Sequence, residues 1–212
     1  MMKIKNLLAV VAHPDDLEMM AAGFVAKIMK DGANVHVLVL TNGSWIAPDG
    51  DIVRSKDQAA TEMHNVSVFM NYSSWHMLNE ATLDLNFKDA LVTEVLKKIK
   101  QYNIDTLLTS WNKDSNRDHR IASEIALSAS RRVPNFLMGQ VNYYMLDVFT
   151  PNFYIDISDE WDKKIECMAK FVSQWERAHT DWTEFLDVIS RYYGKIIGVE
   201  RAEGFIAKRI AY

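Results

Sequence analysis

His13, Pro14, Asp15 and Asp16 stand in a row where an apolar run gives way to a helical pattern, within AVVAHPDDLEMMAAG over residues 9–23. A turn into a helix uses one such polar side chain, so two adjacent carboxylates and an imidazole exceed the need. One reading is structural: Asp favours helix N-caps and Pro shapes turns, so Asp15 or Asp16 would cap the helix. The other is chemical. Carboxylates at a helix N-terminus repel phosphate, and this loop has neither Gly-x-Gly-x-x-Gly nor Gly-Lys-Ser/Thr. The edge therefore suits a cation or a proton transfer better than a nucleotide.

A second polar group lies far along the chain, in WNKDSNRDH over 111–119. His119 opens a helical pattern after another short apolar run and is preceded by Asp118. His13 and Asp16, three positions apart across a turn, can face one ion, and His119 can close the set. Two imidazoles and a carboxylate with a fourth position open form a catalytic zinc donor set rather than a structural one. Other divalent transition metals such as Fe or Co also accept N/O donors. Asp15 then has no coordination duty and is available as a general base.

These groups can meet only if the fold brings two strand ends together. The continuous apolar run over 4–12 reads as a strand buried on both faces. A helix follows over 17–30, stopped by Asp31-Gly32, and NVHVLVLT over 34–41 is a second strand. Strand, helix, strand within about forty residues is a βαβ unit with parallel strands. The pattern continues with a helix over SKDQAATEMHN, a short strand near Ser67–Met70, an amphipathic helix over 87–102, a strand over 105–110 and a helix over 119–132. QVNYYMLDV and NFYIDI read as strands near an edge, and Ser158 to Tyr193 reads mostly as helix. The expected fold is thus a single α/β domain over 1–212, a Rossmann-like, mostly parallel sheet flanked by helices with a helical C-terminal region. In such sheets ligands bind beyond the carboxyl ends of the strands. Three loops there carry unusual polar residues: HPDD, TNGSW at 41–45, and WNKDSNRDH.

With these elements in place, AHPDDLE resembles the first motif of the PIG-L or LmbE-like deacetylases, metal-dependent enzymes acting on N-acetylglucosamine-type groups. NRDH at 116–119 stands where that family reads His-Pro-Asp-His or His-x-Asp-His. TNG at 41–43, Arg54 with an acidic residue three later, PNFYIDISDEWDKKIE at 151–166 and RAEGF at 201–205 extend the resemblance over nearly the whole chain. It implies that His13, Asp16 and His119 bind zinc, that Asp15 is the general base and that Arg54 contacts substrate. On the residues alone Arg54 reads equally as a surface helix pairing with Asp57 or Gln58. The family's first histidine of the later motif is replaced here by Asn116. An amide can donate a hydrogen bond to a developing oxyanion but cannot supply a proton, so Asp15 would serve first as base and then as acid. Asp118 either orients a neighbouring ligand or caps the following helix.

The implied activity is hydrolysis of the N-acetyl group of an N-acetylglucosamine-type sugar or sugar conjugate. The alternatives are a zinc hydrolase of another amide or ester, and a metal- or sugar-binding relative without turnover. Trp45 and Trp111 follow strand ends on the active edge, where a flat indole can stack on a sugar or simply pack a loop. His36 in a buried strand and His64 in a helix read as packed or surface histidines, His76 and His179 lack a carboxylate or histidine partner at useful spacing, and Trp161, Trp175 and Trp182 default to core or oligomer contacts.

The remaining properties exclude other classes. The 212-residue chain carries a net charge of −4 with no window dense in Lys or Arg, which argues against nucleic-acid binding. One cysteine, Cys167, permits neither an intrachain disulfide nor a thiolate zinc cluster, and a reducing, cytoplasmic setting fits. The opening MMKIKNLLAVVA is too short in its apolar part for a signal sequence, and no run reaches membrane-spanning length. The expected partner is a small N-acetylated sugar, and a homo-oligomer remains open.

Overall fold

The apolar run after Lys5 leaves neither face for water, and it forms β1 (Asn6–Val11) in the middle of a seven-stranded sheet. The computed structural model describes residues 3–211, so positions 1, 2 and 212 of the expected domain lie outside it. Leu7, Ala9 and Val11 point into one core and Leu8, Val10 and Ala12 into the other. β1 pairs in parallel with β2 (Asn34–Thr41) on one side and with β6 (Thr106–Ser110) on the other. β5 (Ser74–Glu80) extends the sheet beyond β2, and β7 (Asn135–Gly139) extends it beyond β6, both in parallel. β9 (Ala202–Arg209) then runs antiparallel between β7 and β8 (Phe153–Asp156), giving the order β5-β2-β1-β6-β7-β9-β8. The expected mostly parallel, Rossmann-like sheet is present.

Helices cover both faces. α1 (Asp16–Lys30), α2 (Lys56–Met70), α5 (Trp161–Met168) and the start of α6 (Val172–Ile197) close one core. α3 (Asp89–Gln101) and α4 (Arg117–Ala129) close the other, with Leu91 and Val95 of α3 against Ile125 and Ala126 of α4. A small hairpin, β3 (Trp45–Ile46) with β4 (Ile52–Arg54), leaves the end of β2 and ends at α2. Gly43, at φ +67, begins that departure; a Cβ there would lie 2.8 Å from Pro14 and 2.9 Å from Ala59.

Several local expectations are corrected. Ser67–Met70 is the last turn of α2, because Val66 and Met70 bury on one helical face and Asn71, at φ 63, closes the C-terminus. The next strand comes later, as β5. Residues 140–148 form a loop rather than a strand, and the fully buried strand lies just before them in β7. β9 was hidden because its second half is exposed and basic at Lys208 and Arg209. Arg54 ends a strand and is buried, so it is not a surface helix residue pairing with Asp57.

α1 is not a continuous helix. Ala21 (φ −153, ψ 15) breaks it, and a buried ion pair takes up the freed backbone groups. The Glu203 carboxylate accepts from Gly23 N at 3.1 Å and Phe24 N at 2.7 Å. Lys164 Nζ donates to Met19 O at 2.7 Å and to Glu203 at 2.6 Å. The break separates the turn that carries the polar residues from the half of α1 that packs under the sheet edge.

Candidate active site

β1 lies where the strand order reverses, so the loops after β1 and β6 open the crevice in which α/β sheets hold ligands. Those loops deliver His13 and Asp16 from one side and His119 from the other. Asp16 does not cap α1: its Oδ2 accepts backward from Ala12 N at 3.0 Å and His13 N at 2.9 Å. That locks the turn and leaves Oδ1 facing the imidazoles. Asp15 occupies the N-cap position without a side-chain cap bond, at φ 105. Holding a non-glycine residue there costs about 1–3 kcal/mol and aims its carboxylate away from the helix.

Three atoms converge. His13 Nδ1 and His119 Nε2 are 3.2 Å apart, His119 Nε2 and Asp16 Oδ1 3.1 Å, and His13 Nδ1 and Asp16 Oδ1 3.6 Å. Ligands about 2.0–2.1 Å from a tetrahedral zinc ion lie about 3.3 Å from one another, so this set fits such an ion without rearrangement. All three residues are buried. Each imidazole turns its other nitrogen to a buried carboxylate: His13 Nε2 to Asp118 at 3.1 Å, and His119 Nδ1 to Asp114 at 2.9 Å. In the neutral imidazoles, donation to those carboxylates leaves His13 Nδ1 and His119 Nε2 as lone-pair donors.

The two adjacent aspartates differ electrostatically. Burial works against ionisation at Asp16, but the charges and hydrogen bonds of His119 and His13 outweigh it and hold the carboxyl well below the usual range. Burial pushes Asp15 up to about 6, against the opposing pull of Arg54. Arg54 Nη1 donates to Asp15 at 3.2 Å, Nε donates to Gly43 O at 2.7 Å, and Glu62 lies 3.9 Å away on the far side. For Asp118, hydrogen bonds from His13, Leu83 and Leu85 overcome burial and lower the carboxyl.

The cluster forms the floor of a pocket of about 360 Å³, whose walls include Trp45, Asn116, Asn142, Gln174, Arg177 and Trp182. A family model described as "PIG-L: GlcNAc-PI de-N-acetylase" matches residues 8–130, which span the loops that bring His13, Asp16 and His119 together. The chain belongs to the PIG-L family. Among its relatives is a diacetylchitobiose deacetylase of Thermococcus kodakarensis, 26% identical, the match covering 95% of this chain and 82% of that one. The solved N,N'-diacetylchitobiose deacetylase of Pyrococcus horikoshii superposes with a TM-score of 0.81 at 21% identity, over 96% of this chain and 84% of that one. The 4-carboxy-2-hydroxymuconate hydratase of Pseudomonas putida superposes with a TM-score of 0.83 at 18% identity, over 99% and 98% of the two chains.

Within this PIG-L fold, the sequence-derived residues divide. His13, Asp15, Asp16, Arg54, Asn116, His119 and Trp45 meet at the pocket. Asp118 lies behind it, bonded to His13 and to the backbone of Leu83 and Leu85. The cap of α4 is Asn116, whose side chain accepts from Asp118 N at 2.9 Å. Trp111 is not brought to the pocket: it is buried, edge-on against Phe149 at 5.2 Å, on the core side of its strand end. Trp45 lines the wall, but Arg177 lies over its ring at 4.8 Å. Sequence reasoning missed Asp114, although it stands five residues before His119 in the quoted loop. It also missed Gln174 and Arg177 and read Trp182 as a core or oligomer contact; all three line the pocket from α6, over a long chain separation that no motif spacing records. No helix among the described residues is long and apolar enough to cross a membrane.

Proposed function

We propose that this protein is a metal-dependent N-deacetylase that hydrolyses the N-acetyl group of an N-acetylglucosamine-type sugar or sugar conjugate. One observation carries the reading: beside a three-donor set shaped for a tetrahedral ion lies a fourth group, Asp15, that stands outside the set and shares the pocket. A binding-only site has no use for it. His13, Asp16 and His119 would hold the ion, with zinc the first candidate. Once bound, a divalent ion supplies Lewis acidity for the acetamide carbonyl and acidifies water.

The chain's own residues do the rest. Asp15, poised near 6, is ionised at neutral pH and takes a proton from the attacking water. Arg54 keeps that carboxylate aimed into the pocket from behind. Asn116 uses its Oδ1 in the α4 cap, which leaves its Nδ2 to donate toward the carbonyl oxygen as charge builds there. Asp15, now protonated, returns the proton to the amine nitrogen as the C–N bond breaks, leaving acetate and a free amine. Asp114 and Asp118 hold the imidazoles in place.

Fold likeness alone admits other chemistry, since a hydratase shares the architecture. The family match and the deacetylase relative favour amide hydrolysis. The test is product identity: the metal-loaded protein, given a panel of N-acetylated sugars, should release acetate and free amine in equal amounts. Acetate without amine, from acetate esters alone, would move the reading to an esterase.

A further inference from the structure

The charges lining the pocket are matched by opposite partners except at one place. Asp15 faces Arg54, Asp16 faces His119, and His13 faces Asp118. Arg177 of α6 is different: among the described residues it joins no salt bridge. Its guanidinium lies over the Trp45 ring at 4.8 Å, and its Nη2 donates to Gln174 Oε1 at 2.9 Å. The stack and the hydrogen bond hold the planar fork in one orientation, with its remaining N–H donors unused. A second observation lies beside it. Gln174 is 5% exposed and lines the same pocket, yet its Nε2 has no acceptor. The bond from Arg177 fixes which end of the amide is oxygen, so the unpaired atom is a donor. An unsatisfied buried donor costs about 1–3 kcal/mol unless something accepts from it.

We propose, resting on the deacetylase reading above, that Arg177 and Gln174 form a recognition wall for an anionic group, a carboxylate or phosphate, on the N-acetylated sugar. The wall presents the free N–H donors of Arg177 and Gln174 and a positive charge that joins no salt bridge among the described residues. A planar guanidinium held on an aromatic face binds such oxygens through paired hydrogen bonds. A hydroxyl alone would leave the charge unmatched. The attraction is local, because the whole chain is acidic at −4. Trp45 acts here as the platform for Arg177, and Trp182 is left to face the sugar.

The test separates this inference from the deacetylase reading by measuring binding as well as turnover. Equilibrium binding is measured for N-acetylglucosamine, its 1-phosphate, its 6-phosphate and N-acetylmuramic acid, using metal-loaded Asp15→Asn protein. At least one anionic sugar should bind about tenfold or more tighter than the neutral one, as expected for a charge-assisted hydrogen bond. Adding Arg177→Gln should weaken the anionic sugar at least about fivefold more than the neutral one, with Arg177→Lys restoring part of the difference. Which anion carries the preference distinguishes phosphate from carboxylate. Equal binding of all four sugars, no binding of any anionic one, or an equal loss for neutral and anionic sugars on Arg177→Gln would overturn the proposal. Acetate release by the unsubstituted protein is scored separately. Release without anionic preference defeats the wall alone, and preference without release defeats the deacetylase alone.

Discussion

Neighbouring carboxylates with opposite environments define the candidate site at the residue scale. Asp16 spends its oxygens on two backbone amides and two imidazoles, whereas Asp15 is turned away by a left-handed backbone and meets only Arg54. The sequence showed that the pair exceeded a turn's needs, but it could not exclude capping, because the backward hydrogen bonds of Asp16 depend on the turn's geometry. Asn116 combines two duties that substitution can divide. Asn116→Asp keeps an oxygen for the α4 cap and loses the donor, so stability should stay within about 0.5 kcal/mol while kcat falls about 100-fold. Asn116→Ala should lose kcat similarly and about 1 kcal/mol of stability in urea unfolding as well. Asp114→Asn tests the support of His119: metal affinity in a competition titration should weaken about 10–100-fold. An unchanged affinity would mean the backbone alone positions that ring.

Elements explain why part of the site was legible. The loops that bring His13, Asp16 and His119 together follow strands that are continuous apolar runs, and such runs announce themselves. The α6 wall was not visible, since Gln174, Arg177 and Trp182 look like an ordinary amphipathic helix until the chain folds back over β2's exit. Nor was the break in α1, although RAEGF contains the residue that stabilises it. Glu203 and Lys164 are both buried and bonded to the freed backbone groups, so removing one strands the other. Glu203→Gln should destabilise the protein by about 3–5 kcal/mol, read by chemical denaturation. Replacing both residues with apolar ones should recover part of the loss. A cost below about 1 kcal/mol for the single change would show that the pair does not secure the break.

For the whole molecule, the switch point of the sheet joins two loops more than a hundred residues apart, and a bound ion would fasten them together. Burial lowers the imidazole values and Asp16 raises them, with the net effect upward from about 6.5 for His13 and to about 10 for His119. In metal-free protein that contribution to stability is fully present below about 6.5 and is lost as pH rises through the raised values. Metal binding runs the other way, because it needs both imidazoles neutral and releases their protons. At a hundredfold excess over Kd, metal should add about 2.7 kcal/mol, or roughly 5–10 °C in Tm. At a fixed free-metal concentration that gain should be larger at pH 8 than at pH 6. A gain independent of pH would place the ion elsewhere. The most direct test of the central claim compares the unsubstituted protein with Asp15→Asn, measuring bound metal and acetate release on the same samples. Full metal content in both, with acetate release lost only in Asp15→Asn, is the predicted result. Loss of metal together with activity, or activity that survives the substitution, would contradict it.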